Sequence, residues 1–333
     1  MEREKIDFVI TWVDGSDKKW QEEKNKYLPK NKKISSSKVL YRDFDTLKYL
    51  FRGIEKFTPW VHKIYFVTCG QKPKWLNVNS KKLVLVDHKD FIPEQYLPTF
   101  SSHTIELNLN RINGLSEKFV YFNDDTLITD YCNENYFFCD GKPCDIAALN
   151  TLVPDENDIF YSILNNNTAV INKYFNKNIV IKRDFFKWFN IKYGLEPIRT
   201  ILLFPWHNFL GFKASHMPSS LLKSTYNELW TKEYNTLNAT CMNKFRTPLD
   251  VNQYLFKNWQ IVNGNFAPRN MNSFKFYGIT FLPKNFKKIL FQRKYKMICI
   301  NDQQVQDDEF EIIKDQVTSA LESFLPDKSS FEK

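Results

Sequence analysis

Two adjacent acidic residues follow a short apolar run at residues 118–125, KFVYFNDD. The run is typical of a buried strand, yet it ends in Asn123, Asp124 and Asp125 without a turn residue. Adjacent carboxylates repel each other and are more easily solvated at a loop tip, so this placement favours a functional role. Carboxylates suit proton transfer and the binding of a hard divalent cation such as Mg²⁺.

A second run, late in the chain, has the same design. Residues 296–304, KMICINDQQ, close an apolar stretch with Asn301 and Asp302. Asp14 and Asp87 also follow apolar runs, but helix capping explains these two acids equally well. Acids at the ends of several apolar runs indicate chemistry on a phosphate-bearing ligand with a divalent metal.

The elements that must position these acids alternate along the chain. The apolar runs are short, nearly continuous and rich in β-branched and aromatic residues, as expected of strands covered on both faces. Helical patterns lie between them, with Asp43 or Asp45 as the cap of the first. The predicted fold is α/β, a doubly wound, mainly parallel (Rossmann-like) sheet with an added helical layer. In such sheets ligands bind at the carboxyl ends of the strands. The predicted strands are 6–15, 63–71, 82–90, 118–125 and 296–304, and the predicted helices include 43–57 and 101–114.

The chain divides into four segments by composition. Residues 1–150 are expected to form the Rossmann-like part. Residues 151–240 are helical and aromatic in pattern, and are expected to form an inserted or appended helical layer that shapes an acceptor site. Residues 241–305 return to the core. Residues 306–333 form an amphipathic terminal helix and a tail, to which we assign no chemistry.

Composition narrows the partners without choosing among them. The net charge of +9 fits an anionic ligand such as a nucleotide, a phosphorylated glycan or a lipid surface, although basic composition alone explains it as well. No nucleic-acid-binding signature is present, so no nucleic-acid partner is expected. The basic segment 284–296 is better explained as a solvated face than as a surface for an anionic acceptor or a membrane. The absence of the GxxxxGK[ST], GxGxxG, HExxH and GxSxG motifs argues against the enzyme classes that use them.

The six cysteines have no paired spacing, which indicates reduced thiols. Cys132, Cys139 and Cys144 are close in sequence but lack a CxxC pair or a nearby His, so a zinc site is not expected. The first apolar run is too short for a signal peptide, and no run approaches the ~20 apolar residues that span a bilayer. We expect a cytoplasmic protein and leave open peripheral contact with the inner face of the cell membrane.

Four segments resemble, in order, the motifs of the Stealth family. That family includes bacterial capsular polysaccharide phosphotransferases and the catalytic part of the lysosomal-enzyme N-acetylglucosamine-1-phosphotransferase. The long second motif is the most specific match, and it ends in the acidic pair. The matching segments are IDFVITWVDGSD (6–17) for the first motif, 42–77 continued by 97–125 for the second, KASHMPSSLL (213–222) with FRTPLDVNQY (245–254) for the third, and ICIND (298–302) for the fourth.

The resemblance implies the transfer of hexose-1-phosphate or N-acetylhexosamine-1-phosphate from a UDP-sugar to a hydroxyl of a lipid-linked oligosaccharide or growing polysaccharide. A phosphodiester forms and UMP leaves, in capsule or cell-surface polysaccharide synthesis. Four positions match residues implicated in catalysis in the family, namely Asp125, His216, Arg246 and Asp302. Asp125 and Asp302 are expected to bind Mg²⁺ or Mn²⁺. Arg246 is expected to clamp the phosphoryl oxygens, and the general base is either His216 or Asp125.

Further matches to the family are expected to shape the donor site. Trp12 or Trp60 could stack on uracil, although a core role is at least as well supported for each. The chain departs from the family pattern at Phe44, Thr46 and Cys69, and these departures concern sugar and donor binding rather than the reaction class. The expected donor-binding residues are Asp7, Trp12, Gly15, Arg42, Asp43, Asp45, Arg52, His103 and Glu106.

Three alternatives predict different products. A metal-dependent glycosyltransferase would transfer the sugar alone and release UDP. A phosphatase or nucleotidyltransferase would act on the donor without any acceptor. A non-enzymatic glycan-binding protein would keep its acceptor binding and biological activity after Asp302→Ala.

Overall fold

The structure is a computed structural model that describes residues 4–28, 41–153, 155, 158–303 and 305–333. Gln304, at the end of the predicted strand 296–304, lies outside the described residues. The described strands are β1 (Ile6–Thr11), β2 (Ile64–Thr68), β3 (Leu83–Asp87), β4 (Lys118–Asn123), β5 (Thr126–Ile128), β6 (Phe138–Cys139), β7 (Lys142–Asp145), β8 (Ser219–Leu222), β9 (Ala267–Pro268), β10 (Phe274–Gly278) and β11 (Met297–Asn301). The described helices are α1 (Lys18–Tyr27), α2 (Leu47–Phe57), α3 (Ser102–Leu107), α4 (Ile159–Tyr174), α5 (Lys177–Arg183), α6 (Phe185–Trp188), α7 (Glu196–Leu202), α8 (Lys223–Lys232), α9 (Tyr234–Met242), α10 (Tyr254–Val262), α11 (Phe286–Phe291) and α12 (Asp307–Phe324).

The central sheet has five strands in the order β3-β2-β1-β4-β8. Strands β1 to β4 are parallel, and β8 runs antiparallel to β4 at the edge. The predicted α/β fold with a mainly parallel sheet is therefore confirmed. Because the four parallel strands point the same way, the segments that follow them meet at one edge of the sheet.

Both faces of this sheet are covered, which explains the nearly continuous apolar runs. Within β1, Phe8 and Ile10 pack into the core formed with α2 and α12. Val9 points the other way, into the core formed with α8 and α10. A strand whose two faces are both buried does not alternate between apolar and polar residues.

The last predicted strand does not join the central sheet. Strand β11 lies in a separate sheet of order β10-β11-β5, parallel to β10 and antiparallel to β5. Strand β5 begins just after β4, so Asp124 and Asp125 occupy the connection between the two sheets. The backbone N–H of Ile300 donates to the carbonyl oxygen of Asp125 at 3.0 Å. This pairing places the end of β11 beside the acidic pair, although β11 belongs to a separate sheet and not to the central sheet as predicted.

The predicted helical segment 151–240 contains α4 to α9, and α10 packs against α4. Strand β8 also lies within this segment and completes the central sheet. A third, small sheet of order β6-β7-β9 lies beside it. The segment is therefore joined to the central sheet and does not form a layer of helices alone.

The predicted caps of α2 are wrong. The helix begins at Leu47 after Thr46, without a side-chain cap. Asp43 instead accepts a hydrogen bond from the backbone N–H of Asp45 at 2.7 Å, and Asp45 has a left-handed backbone with φ of +56°. The helix predicted over 101–114 is also shorter, since α3 is followed by a 3₁₀ turn at Leu109–Arg111.

The predicted terminal amphipathic helix is present as α12. Its buried residues include Val317 and Leu321, which join the core on the α2 side of the sheet. Across the described ranges, none of the helices combines the length and the apolar character needed to cross a membrane.

Candidate active site

A cavity of about 430 Å³ lies at the carboxyl edge of the central sheet. The four residues predicted to act in catalysis come from distant parts of the chain, and all of them line this cavity: Asp125, His216, Arg246 and Asp302. Four of the predicted donor-binding residues line it as well: Trp12, Arg42, His103 and Glu106. The parallel sheet thus brings separate motifs to one site, as its topology requires.

Asp125 is the most heavily bonded acid of the cavity. Its Oδ2 lies 3.0 Å from Nε2 of His216, 3.2 Å from Sγ of Cys299 and 3.3 Å from Nδ2 of Asn301. Burial alone would raise the pKa of Asp125, but the charge of His216 and these hydrogen bonds outweigh burial and lower that pKa. Asp125 is therefore held as a carboxylate.

His216 forms the other half of an ion pair with Asp125. Burial disfavours the charged imidazole, but the Asp125 carboxylate outweighs this effect and raises the pKa of His216. A group with a higher pKa is the stronger base, so within this pair His216 is the better proton acceptor once it is neutral. The pair has the geometry of a base oriented by a carboxylate.

Buried polar side chains hold the loop that carries His216 in place. Lys257, only 2% exposed, places Nζ 3.1 Å from Oδ1 of Asp145 and 3.3 Å from Oγ of Ser215. The hydroxyl of Tyr254 donates to the carbonyl oxygen of Ser215 at 3.0 Å. Since Ser215 precedes His216, these contacts set the position of the imidazole.

Asp124 also lines the cavity but has no comparable partners. Burial, followed by the charges of Asp125 and Asp43, raises the pKa of Asp124 to about 8. Its carboxylate is bonded to its own backbone amide, and in the described part of the chain it forms no ion pair. An acid in this state is stabilised by a proton or by a bound cation, so Asp124 is a candidate cation ligand.

Asp302 is paired with an arginine rather than left open to a cation. Nε and Nη2 of Arg42 each lie 2.8 Å from one oxygen of Asp302, which is a bidentate contact. Nη2 of Arg42 also donates to the carbonyl oxygen of Gln303, and its guanidinium stacks on the ring of Phe310 at 4.2 Å. Arg42 and Asp302 thus form one unit on the cavity wall, which the sequence did not predict.

Arg246 is carried by a loop that one acid organises. Asp250, fully buried, accepts hydrogen bonds from the backbone N–H and the hydroxyl of Thr247 and from Nδ2 of Asn243. The same carboxylate lies 3.0 Å from Nδ1 of His103, which turns that ring toward the cavity. Arg246 itself donates from Nη2 to Oγ of Ser102 at 2.8 Å. Its remaining N–H groups are available to an anionic ligand.

Other predicted donor-binding residues shape the rim of the cavity. Nε1 of Trp12 donates to Oδ2 of Asp43 at 3.1 Å, and the indole stacks on the core ring of Phe66. Asp43 therefore positions a wall residue and does not itself line the cavity. A Cβ atom at Gly15 would clash with the carbonyl oxygen of Tyr41. Glycine at this position therefore allows Tyr41, which lines the cavity, to pack closely against the backbone of Gly15.

Two predicted donor-binding residues lie away from the cavity, which corrects those expectations. Asp7, fully buried at the start of β1, accepts from Nδ1 of His62 and from the backbone N–H groups of Lys63 and Ser116. Arg52 forms a bidentate pair with Glu332 at 2.9 Å and also bonds Glu322 and a backbone carbonyl of the C-terminal tail. Both residues are satisfied by the fold.

Asp45 is also removed from the cavity, since its exposed carboxylate pairs with Lys314 at 2.6 Å. Asp14 closes a local turn by accepting from Ser16, and Asp87 caps the 3₁₀ turn at His88–Asp90. Trp60 donates to the carbonyl oxygen of Cys132 in the core, so of the two predicted indoles it is Trp12 that lines the cavity. Capping and packing account for these residues.

The expected divalent cation requires several donor atoms close together. Among the described residues, Asp125, His216 and Cys299 bring one ligand atom each within 4.8 Å of one another. Burial and the neighbouring Asp125 raise the pKa of the Cys299 thiol well above its usual range, so it donates to Asp125 and does not offer a thiolate. The oxygen-rich pair of Asp124 and Asp125, with one carboxylate lacking a cation partner, fits Mg²⁺ or Mn²⁺ better.

The sequence offered signals for some residues that shape the site but were not among the predicted site residues. Asp124 stands beside Asp125 in the acidic pair, and Asp250 lies four residues after Arg246 in the third motif. Lys257 had no such signal, because its importance depends on Asp145, more than a hundred residues away.

The fold and this cavity define an α/β enzyme with a carboxylate–imidazole pair and two arginines around one crevice. Models of two conserved regions of Stealth proteins match this chain, region 1 over residues 4–32 and region 2 over residues 40–145. The predicted first and second motifs lie within these matched ranges.

Three relatives match over nearly their full length. A capsular polysaccharide phosphotransferase, WcwK, from Streptococcus pneumoniae is 45% identical over 99% of this chain and 98% of its own. A receptor polysaccharide phosphotransferase, WefC, from Streptococcus oralis is 44% identical over 98% of this chain and 99% of its own. An exopolysaccharide phosphotransferase, cps2G, from Lactiplantibacillus plantarum is 41% identical over 98% and 96%. The chain belongs to the Stealth family, as its motifs predicted.

Proposed function

We propose that this protein is a polysaccharide phosphotransferase that moves a hexose-1-phosphate or N-acetylhexosamine-1-phosphate from a UDP-sugar to a glycan hydroxyl. The names of its relatives, capsular, receptor and exopolysaccharide phosphotransferases, support this reaction class. The observation that carries the proposal is the Asp125–His216 pair in a cavity that also holds Arg246 and the Arg42–Asp302 unit.

The proposed reaction breaks the diphosphate and leaves the sugar–phosphate bond intact. The acceptor oxygen bonds to the phosphorus nearer the sugar, the bond from that phosphorus to the bridging oxygen breaks, and UMP leaves. We assign the proton of the acceptor hydroxyl to His216, which Asp125 orients and makes more basic. Of the two candidates for the general base, His216 and Asp125, we therefore propose His216.

The two cavity arginines fit the charge that develops in such a transfer. The free N–H groups of Arg246 would hold equatorial phosphoryl oxygens, where a planar fork binds two oxygens at once. Arg42 is already fixed by Asp302, so its guanidinium is in place before the donor binds. Fixed positive groups stabilise a transition state without reorganisation during the reaction.

A divalent cation would supply further charge neutralisation on the diphosphate. We retain Asp125 and Asp302 as proposed ligands of Mg²⁺ or Mn²⁺ and add Asp124, whose carboxylate has no cation partner among the described residues. Because Arg42 holds both oxygens of Asp302, ligation by Asp302 requires that this pair open.

The acceptor is proposed to be a lipid-linked oligosaccharide or a growing polysaccharide. The donor site is proposed to hold UDP with Trp12 beside the uracil ring. The proposed location is the cytoplasm, at the inner face of the cell membrane. Cys69, Cys132, Cys139, Cys144, Cys241 and Cys299 all carry free thiols, which suits a reducing compartment.

The test is a donor screen with purified protein, a synthetic lipid-linked disaccharide acceptor and Mg²⁺, followed by mass spectrometry of the acceptor and assay of the free nucleotide. We expect the acceptor to gain the mass of a sugar plus a phosphate, UMP to appear, and EDTA to stop the reaction. Asp130→Asn serves as a matched control, because Asp130 pairs with Arg293 on the surface.

Other products would overturn the proposal. A gain of sugar alone with release of UDP would make the protein a glycosyltransferase. Donor hydrolysis that needs no acceptor would indicate a phosphatase or nucleotidyltransferase. Full biological activity in the Asp302→Ala variant would indicate a glycan-binding protein.

A further inference from the structure

Helix α7 turns its apolar residues toward solvent and two of its polar residues toward the protein. Ile198, Ile201 and Leu202 are 55%, 58% and 67% exposed. On the opposite side, Glu196 and Thr200 are buried. A helix on the surface of a globular domain normally has the reverse arrangement, with its apolar stripe on the core. The outer side of α7 is therefore shaped for contact with something outside this chain.

The same exposed character continues through the segments before α7. Phe186 on α6 is 84% exposed, Ile191 is 95% exposed and Leu195 is 79% exposed. Of the 23 large hydrophobic residues exposed in the described part of the chain, nine lie between residues 179 and 206. Scattered exposed apolar residues are ordinary, but such a concentration marks an interaction surface. We call Phe186, Ile191, Leu195, Ile198, Ile201 and Leu202 the apolar face.

The charges around the apolar face have one sign on the outside. Residues 177–206 contain six Lys or Arg and only two acids, Asp184 and Glu196. Both acids are largely buried and face cations of their own surroundings, Asp184 with Arg183 and Glu196 with Lys213. Outward cations remain, including Lys182 and Lys192, both of which are exposed. The partner of this surface must accept apolar side chains and positive charge together.

We propose that the apolar face docks onto an anionic lipid bilayer. Apolar side chains flanked by Lys and Arg match the acyl boundary and the negatively charged headgroups of such a surface. A second copy of this chain fits less well, because a symmetric contact would bring the outward cations of both copies together.

The helix that carries part of the apolar face contacts residues that are close in sequence to a cavity residue. Oγ1 of Thr200 accepts from the backbone N–H of Leu149 at 3.2 Å, and Glu196 pairs with Lys213 at 3.2 Å. Lys213 lies three residues before His216. A bilayer against α7 would thus stand near the side of the cavity that holds the proposed base. The docking itself does not depend on the proposed reaction.

Flotation of the full chain with vesicles tests the proposal. We expect the protein to bind vesicles of phosphatidylglycerol and phosphatidylethanolamine, and to bind pure phosphatidylcholine vesicles roughly tenfold less or weaker still. The double variant Ile198→Ser/Ile201→Ser should lose about tenfold in binding to the anionic vesicles. Lys182→Glu/Lys192→Glu should lose a similar factor through charge alone.

The matched control removes exposed apolar residues beside the other basic segment. Phe281→Ser/Phe291→Ser, at residues 79% and 55% exposed, should bind vesicles as well as the unmodified chain. Thermal melting confirms that each variant is folded. Turnover with a water-soluble acceptor should be unchanged in all of them, which separates failed docking from failed catalysis.

Several results would overturn the proposal. These are no binding of the unmodified chain to anionic vesicles, equal binding to phosphatidylcholine, or loss of binding in the Phe281→Ser/Phe291→Ser variant but not in the α7 variant. A dimer in sedimentation velocity that dissociates in the Ile198→Ser/Ile201→Ser variant, without vesicle binding, would assign the apolar face to a second copy.

Discussion

Asp7 and Asp124 lie near opposite ends of the central sheet, Asp7 fully buried and Asp124 half-buried in the wall of the cavity. The carboxylate of Asp7 accepts three hydrogen bonds, from His62 at 2.7 Å, Ser116 at 2.8 Å and Lys63 at 3.1 Å. Asp124 has a second carboxylate as its neighbour, and its pKa is raised to about 8 by burial and by that charge. One acid is satisfied by the fold and the other is not.

The same contrast separates two arginines. The guanidinium of Arg52 is held by Glu332, Glu322 and a backbone carbonyl at the C-terminal tail. Arg246 donates to the hydroxyl of Ser102 and turns its other donors to the cavity. Burial by itself does not distinguish a functional charge from a structural one. A functional charge is instead marked by an incomplete set of hydrogen-bond and ionic partners inside a cavity, because a ligand must then supply the missing partners.

The largest effect is expected at Asp125. Asp125→Asn removes the charge that orients His216 and raises its pKa, so turnover should fall by about 10³-fold with the fold retained. Turnover is measured as UMP release, and folding by circular dichroism. Asp130→Asn, which alters a surface ion pair, should keep full turnover. If Asp125→Asn were as active as Asp130→Asn, the pair would have no part in the reaction.

Asp7 should show the opposite pattern. Asp7→Ala removes the acceptor of the half-buried backbone N–H groups of Lys63 and Ser116, so the free energy of unfolding should fall by about 2 kcal/mol. Urea denaturation measures this loss, and turnover per folded molecule should be unchanged. A stable but inactive Asp7→Ala protein would show that Asp7 belongs to the donor site and is not a purely structural acid.

The sequence predicted the central sheet because its evidence is local. The runs that became β1 to β4 are apolar over their whole length, and that pattern is what burial on both faces requires. The separate sheet of β11 could not be predicted in this way, because the residues of a strand do not show which other strand it pairs with. Asp302 was still placed at the cavity, since the end of its strand is joined to Asp125 by the Ile300 hydrogen bond.

The site was predicted where one motif contained the chemistry and missed where a distant partner decides it. Asp7 and Arg52 looked functional in their motifs, yet Ser116 and Glu332 satisfy them from far along the chain. Arg42 was predicted for phosphate binding, but its pairing with Asp302 joins residues 260 positions apart. Such contacts arise only from the tertiary fold.

A substitution at Arg246 can change the geometry of the side chain without changing its charge. Arg246→Lys keeps the charge but loses the planar fork, so kcat/KM should fall by about 10- to 100-fold with no change in melting temperature. Arg52→Lys is the matched variant, and it should lower the melting temperature while kcat/KM stays the same. Equal kinetic losses in both variants would mean that the free donors of Arg246 do not distinguish it from a structural arginine.

The smallest effect concerns the stability of the protein at different pH values, measured by thermal melting in EDTA. The pKa of Asp124 is about 8 in the folded chain, above the ordinary 3.8, so the folded state binds more protons across that range. Stability contributed by the protonated acid is therefore present at low pH and is lost as pH rises toward and through 8. Asp124→Asn removes this loss, so the variant should match the unmodified protein only near pH 3.5, below the ordinary pKa of 3.8, and exceed it by about 1 kcal/mol near pH 9. A difference that does not change with pH would show that Asp124 is as well satisfied as Asp7.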